Sequence, residues 1–249
     1  MHFTSEQRFD ALVERTFTLG GISGVLWTPA STPAPLILMG LPGGFSIQDM
    51  LPRLRARARS SADHGLAAVA IEQPGAGGRP GLPGVTQARE DLRRALTAGE
   101  QPGKDVIDRL ILPLVEESVP QWQATLDEIL TLPDVGDRVA FSGGVIAIGT
   151  RLAAIDSRIV AAGLFAGSYV PRSTIDDARR VTIPLHVLLQ WDDEGNDRQM
   201  ALELFDSYGS SEKTLYANMG GHTGVPAFAG EDAVRFFVRH LIPAHEGAA

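Results

Sequence analysis

The sequence predicts an α/β protein: a mostly parallel central sheet with an antiparallel N-terminal edge and helices on both faces. Three observations predict it. Apolar runs recur at Leu36–Met39, Ala67–Ile71, 138–142, Ile159–Phe165 and Leu185–Gln190, as strands covered on both faces require. Helix-like stretches separate most of them, the alternation that builds a parallel sheet. Glycine-rich segments follow several runs, including Gly40-Leu-Pro-Gly-Gly44, Gly75-Ala-Gly-Gly78 and Gly143-Gly144. They fall at strand carboxyl ends, where open α/β sheets bind ligands.

Bulk properties bound the reading. A chain of 249 residues, 44% hydrophobic and 21% charged, suits one soluble domain spanning 1–249. There is no cysteine, which excludes disulfides, thiolate metal sites and a Cys nucleophile. A net charge of −8 argues against a nucleic-acid surface, which needs clustered positive charge. The first ten residues lack the apolar core of a signal peptide, and no apolar run approaches a membrane span. The expectation is a cytoplasmic protein.

In chain order, residues 6–15 read as a short amphipathic helix with Phe9, Leu12 and Val13 on one face. Arg15–Leu19 and Val25–Thr28 alternate as two strands joined at Gly20-Gly21, an antiparallel hairpin at a sheet edge. After the strand at 36–39, Asp49 to His64 is helical. Its Arg53, Arg55, Arg57 and Arg59 are read as a solvated face. The strand Ala67–Ile71 leads into Glu72 and Gln73, which either face a ligand or bind a helix end or the loop backbone. Residues 80–120 are the least regular region, with helix-like pieces at Gln87–Ala98 and Val106–Glu117. They are read as a small cap or lid excursion, not a second domain. Trp122–Leu130 is then a separate amphipathic helix with Trp122 in the core. The central strand at 138–142 turns at Gly143-Gly144 into a helix ending near Ile155. Helices at 197–207 and Glu231–Leu241 flank a strand at Lys213–Ala217.

Three features fall at strand carboxyl ends. They are the turn at Gly143-Gly144, Asp193 after the strand 185–190, and His222 after the strand 213–217. Singly, a histidine after two glycines reads as a loop residue, and an Asp-Asp pair as a helix cap. Jointly, a carboxylate holding an imidazole by its Nδ1–H makes a general base near neutral pH. Asp192 is the alternative acid if the register differs by one. His186 lies inside a strand and reads as packed. No ligand spacing for a metal and no nucleotide fingerprint stands out, so no cofactor is expected.

The chain resembles the α/β-hydrolase-fold superfamily, and within it bacterial esterase- and dienelactone-hydrolase-like proteins. The resemblance rests on Leu38-Met-Gly-Leu-Pro-Gly-Gly44, Ala70-Ile-Glu-Gln-Pro-Gly-Ala-Gly77, Val139-Ala-Phe-Ser-Gly-Gly-Val145, Leu189-Gln-Trp-Asp-Asp193 and Met219-Gly-Gly-His-Thr-Gly-Val-Pro226. The order elbow, acid, histidine is that of the family. The resemblance implies backbone oxyanion donors at Ile146 and Leu41. It also places Val145 at the nucleophile position and Ala147 where the family has a glycine. Where the family's loop after Ile71 starts with Asp and carries a His, this chain has Glu72 and Ala76. Valine cannot attack a carbonyl. Ser142, in Ala140-Phe-Ser-Gly-Gly144, is the alternative nucleophile under a loosened motif.

Three functions follow as expectations. The first is an enzyme without a covalent nucleophile, in which His222 and Asp193 act as base on a small hydrophobic molecule. Its reaction is water attack on an ester, lactone or thioester, or a cyclisation, elimination or C–C cleavage. The second is a non-catalytic small-molecule binder on the same fold. The third is an ordinary serine esterase using Ser142. The family also admits a homodimer, and no segment marks an interface.

Overall fold

The computed structural model describes residues 1–9 and 11–243. One nine-stranded sheet organises them, in the order β1-β2-β3-β5-β4-β6-β7-β8-β9. The strands β1 (His2–Phe9), β2 (Leu12–Leu19) and β3 (Ile22–Pro29) form an antiparallel edge. β3 also runs antiparallel to β5 (Ala67–Ile71). From β5 onward the pairing is parallel through β4 (Ala34–Gly40), β6 (Val135–Gly143), β7 (Ile159–Phe165), β8 (Leu185–Gln190) and β9 (Lys213–Asn218).

Helices cover both faces. α1 (Ile47–Ala62) and α7 (Ala227–Leu241) share a core with Ile37, Met39, Ala68, Ala70, Ala140 and Ala161. α3 (Lys104–Ile129) and α4 (Ile146–Ile155) pack on the opposite face against Leu36, Leu38, Val69, Val139, Phe141 and Ala162. The strands thus send alternate side chains into two apolar layers. α2 (Val85–Thr97), α5 (Arg172–Ala178) and α6 (Arg198–Ser207) complete the fold.

The strands from β4 onward lie where the apolar runs place them, and Gly20 and Gly21 make the expected hairpin turn with φ of 56° and 82°. Three expectations are corrected. Residues 6–15 are not a helix: the described ones belong mainly to β1 and β2, and Asp10 lies outside the described residues. Leu12 and Phe17 reach the core, and Thr16 bonds the hydroxyls of Thr4 and Ser5 at 2.7 Å. Pairing with β3 fixes these residues as strand and overrides a weak helical period.

The break near Pro120 is also absent. α3 runs unbroken for 26 residues through Pro113 and Pro120. Each proline removes one N–H, while the stripe Ile107, Ile111, Leu114, Val119, Trp122, Leu126 and Ile129 stays buried along its whole length. Trp122 is indeed core, edge-on to Phe141 at 6.1 Å. α5 was not anticipated; it has only seven residues, too few for a periodic signal.

The arginines of α1 do not form a uniformly solvated face. Arg55 reaches inward to buried Glu14 with two hydrogen bonds of 2.7 Å, and Trp27 Nε1–H adds a third. Arg57 turns toward β6.

Candidate active site

The site is built from loops at the carboxyl ends of β4 through β9. β6 ends at Gly143, and the chain reverses through Gly143 (φ 76°) and Gly144 (φ 68°) before α4 begins. Gly144 is obligatory: a Cβ there would stand 2.7 Å from Gly40 Cα and 2.8 Å from Gly40 C. The backbones of the two loops therefore touch directly, and Leu41 N lies 3.2 Å from that same point.

Val145 occupies the N-cap of α4 with φ −75° and ψ 114°, an unstrained conformation for a β-branched residue. It is buried, with Cγ2 toward Gly43. Ile146 is the first residue of α4, and the N–H groups of a helix's first turn have no intrahelical acceptor. Leu41 N–H and Ile146 N–H thus both belong to the seam between the 40–44 loop and the elbow, where a helix N-terminus favours negative charge.

Gln73 positions this seam. Its Nε2 donates to the Leu41 carbonyl at 2.7 Å, and its buried Oε1 has no partner among the described residues. Glu72 accepts the N–H of Ile47, at the start of α1, on both carboxylate oxygens. Both side chains thus support the loop frame. Burial pushes the Glu72 carboxyl up from the usual range.

The acid and the histidine meet. Asp193 Oδ2 lies 2.7 Å from His222 Nδ1, and Asp193 Oδ1 accepts the Gly195 N–H at 3.0 Å. The carboxylate side chain is 3% exposed, while the imidazole is 56% exposed. An ionised carboxylate can only accept, so Nδ1 carries the proton and Nε2 is the free basic nitrogen. The ring packs edge-on against Phe165, at the end of β7, with centroids 5.5 Å apart.

Asp192 does a different job. Its carboxylate accepts the N–H groups of Gly220 and Gly221 at 2.9–3.0 Å, and these bonds hold its pKa down. Gln190 Nε2 donates to the Gly221 carbonyl at 2.8 Å. Together they fix the loop that carries His222. Asp197, not the Asp192–Asp193 pair, caps α6 by accepting the Met200 N–H.

Ser142 lies in β6, paired with Met39 and Gly163. Its hydroxyl is 2.9 Å from Arg57 Nη2, on the α1 side of the sheet. His186 is buried beside Tyr216 and Phe236, and burial lowers its pKa; it is packed as expected.

Sequence reasoning missed Arg57, Phe165 and Tyr169. Phe165 closes an apolar strand and had a positional signal. Tyr169 had none: it is buried in the loop after β7, and its hydroxyl donates to Gln101 Oε1 at 3.3 Å. Burial raises its pKa, with Asp197 and Asp193 adding to the effect.

Phe45, Trp191, Met219 and Phe228 are exposed. Each comes from a segment following β4, β8 or β9, at the same end of the sheet. Two recesses of about 340 and 390 Å³ flank the N-terminal strands, and neither is lined by His222, Asp193 or Val145. Among the described residues, no group of three or more His, Asp or Glu is arranged to hold a metal ion. No described helix is long and apolar enough to cross a membrane.

No protein-family model matches the sequence, and no curated protein matches it significantly. Solved structures do. A cold-adapted esterase from an Arctic intertidal metagenomic library is 26% identical, with 97% of this chain and 100% of that chain covered and a TM-score of 0.76. Acetyl xylan esterase 1 from Thermoanaerobacterium sp. JW/SL YS485 is 15% identical, with 96% and 87% covered and a TM-score of 0.61. Dienelactone hydrolase from Anabaena variabilis is 17% identical, with 95% and 99% covered and a TM-score of 0.59. These likenesses span nearly the whole chain and agree with its mostly parallel sheet, so the chain has the α/β-hydrolase fold.

Proposed function

We propose that the protein is a hydrolase in which His222, oriented by Asp193, activates water against the carbonyl of a hydrophobic ester, lactone or thioester. The observation that carries this reading is the 2.7 Å bond between Asp193 Oδ2 and His222 Nδ1, on loops at the same end of the sheet as the turn that leads into Val145. That the structural neighbours are esterases and a dienelactone hydrolase supports the hydrolase class.

The reaction follows from the groups present. Water loses a proton to His222 Nε2 while its oxygen bonds to the carbonyl carbon. The carbonyl oxygen becomes an oxyanion, held by the N–H groups of Leu41 and Ile146. Collapse breaks the bond to the leaving oxygen or sulfur, which takes the proton from the imidazolium. Asp193 stabilises that imidazolium throughout. Val145 forms an apolar floor, and Phe45, Trp191, Met219 and Phe228 offer apolar surface to the rest of the molecule.

The same base and oxyanion donors would serve an elimination or cyclisation started by proton abstraction. Attack by Ser142 is disfavoured by its hydroxyl's bond to Arg57. The presence of Val145 favours a second reading, a binder without chemistry. A panel of p-nitrophenyl and lactone substrates, assayed with the wild type and His222→Ala, separates the two: turnover that depends on His222 supports the hydrolase, and tight binding without turnover supports the binder.

A further inference from the structure

Among the described residues, Arg57 is a cation without a counter-ion beneath the elbow. It projects from the middle of α1 and ends at the carboxyl end of β6. Its Nη2 lies 2.9 Å from Ser142 Oγ and 3.5 Å from the Ser142 carbonyl. A Cβ on Gly143 would stand 3.6 Å from both terminal guanidinium nitrogens. No carboxylate among the described residues pairs with it. Its neighbour Arg55, by contrast, has Glu14. Desolvation, with Arg53 adding like charge, lowers the Arg57 pKa to about 10.

Such an arrangement is costly. A part-buried charge with no carboxylate beside it lowers stability unless something compensates it, and a chain with 30 acidic residues had the means to supply a carboxylate. Functional sites are where uncompensated charges persist. On the hydrolase reading, negative charge would develop at the turn that Gly143 opens, between the Leu41 and Ile146 N–H groups.

We propose that Arg57 is a positioning residue of the active site: through Ser142 it fixes the end of β6 that carries the elbow, and its unpaired charge favours an oxyanion in the crevice. This rests on the hydrolase reading for its kinetic consequence but not for its electrostatic one. It also assigns Ser142 a role, as the hydroxyl that anchors the guanidinium.

The test combines Arg57→Met, Arg57→Lys and Ser142→Ala with three readouts. The first is thermal unfolding. Arg57→Met replaces an unpaired charge by an apolar chain of similar reach, so its melting temperature should equal or exceed that of the wild type. The second is ester hydrolysis. Removing one direct oxyanion donor costs about 100-fold or more, so a group acting one residue away should cost about tenfold in kcat. KM should stay within about twofold, Arg57→Lys should recover part of the loss, and Ser142→Ala should show a smaller loss. The third is calorimetric binding of phenylphosphonate, an anionic tetrahedral probe, which should weaken about tenfold in Arg57→Met.

A lower melting temperature in Arg57→Met, with activity falling in parallel and no recovery by lysine, would make Arg57 structural and overturn the proposal. Unchanged phenylphosphonate affinity in Arg57→Met would overturn it too. If the wild type hydrolyses no ester, the hydrolase reading fails by itself. The melting and phenylphosphonate readouts still decide the role of Arg57.

Discussion

Asp192 and Asp193 are adjacent in sequence yet hold the same loop in different ways. Asp193 bonds the His222 ring, while Asp192 bonds the backbone N–H groups of Gly220 and Gly221. The first fixes the tautomer and orientation of the imidazole; the second fixes where the imidazole stands. Asp193→Asn should lower kcat by about 1,000-fold or more with little change in fold, by the logic of a triad aspartate. Asp192→Ala should leave the tautomer intact and cost less, about tenfold, by loosening the loop. Steady-state kinetics on both variants, with circular dichroism to verify folding, check the difference.

The elbow carries no reactive oxygen at Val145, and the Ser142 hydroxyl is engaged by Arg57. Fluorophosphonate should therefore leave the intact mass of the wild type unchanged, and Ser142→Ala should behave identically. A stoichiometric mass gain lost in Ser142→Ala would show a serine esterase instead.

Gly144 is where two backbones touch. Gly144→Ala places a methyl 2.7 Å from Gly40 Cα at a residue with φ 68°, so overpacking and a left-handed conformation act together. The cost should be about 2–4 kcal/mol. Chemical denaturation measures it, and turnover should fall further than stability if Leu41 and Ile146, on the separated loops, donate to the oxyanion as proposed.

Glu72 links the site to pH. Burial raises its carboxyl pKa above the ordinary value of 4.5, so the folded state holds the proton more tightly than the unfolded chain. That contribution to stability is fully present below the unfolded value and is lost as pH rises through the folded pKa. Glu72→Gln removes the titration. Relative to the wild type, it should therefore gain stability on going from pH 4 to pH 8. Melting temperatures across that range test the sign; a variant that loses stability relative to the wild type as pH rises contradicts it.

Much of this fold was legible because buried parallel strands announce themselves. Ala67–Ile71 and Ile159–Phe165 are apolar throughout and coincide with β5 and β7. The position of Asp193 was legible for a related reason, since it follows buried β8; His222 follows β9, which has no buried residue, and stood out by chain order after its two glycines. What failed depended on tertiary partners. The prolines at 113 and 120 looked like breaks, but the apolar stripe of α3 holds the helix across both. β1 is almost wholly exposed and is a strand only because β2 lies beside it. Arg57 read as one more surface arginine, because a long side chain's destination is set by what it reaches, here the Ser142 hydroxyl, and not by its helical phase.

The most direct test is kcat/KM for hydrolysis of a hydrophobic p-nitrophenyl ester by wild type and His222→Ala at pH 8. With His222 as the base that activates water, the variant should lose about 100-fold or more. Equal values in the two proteins would remove His222 from the reaction and contradict the account.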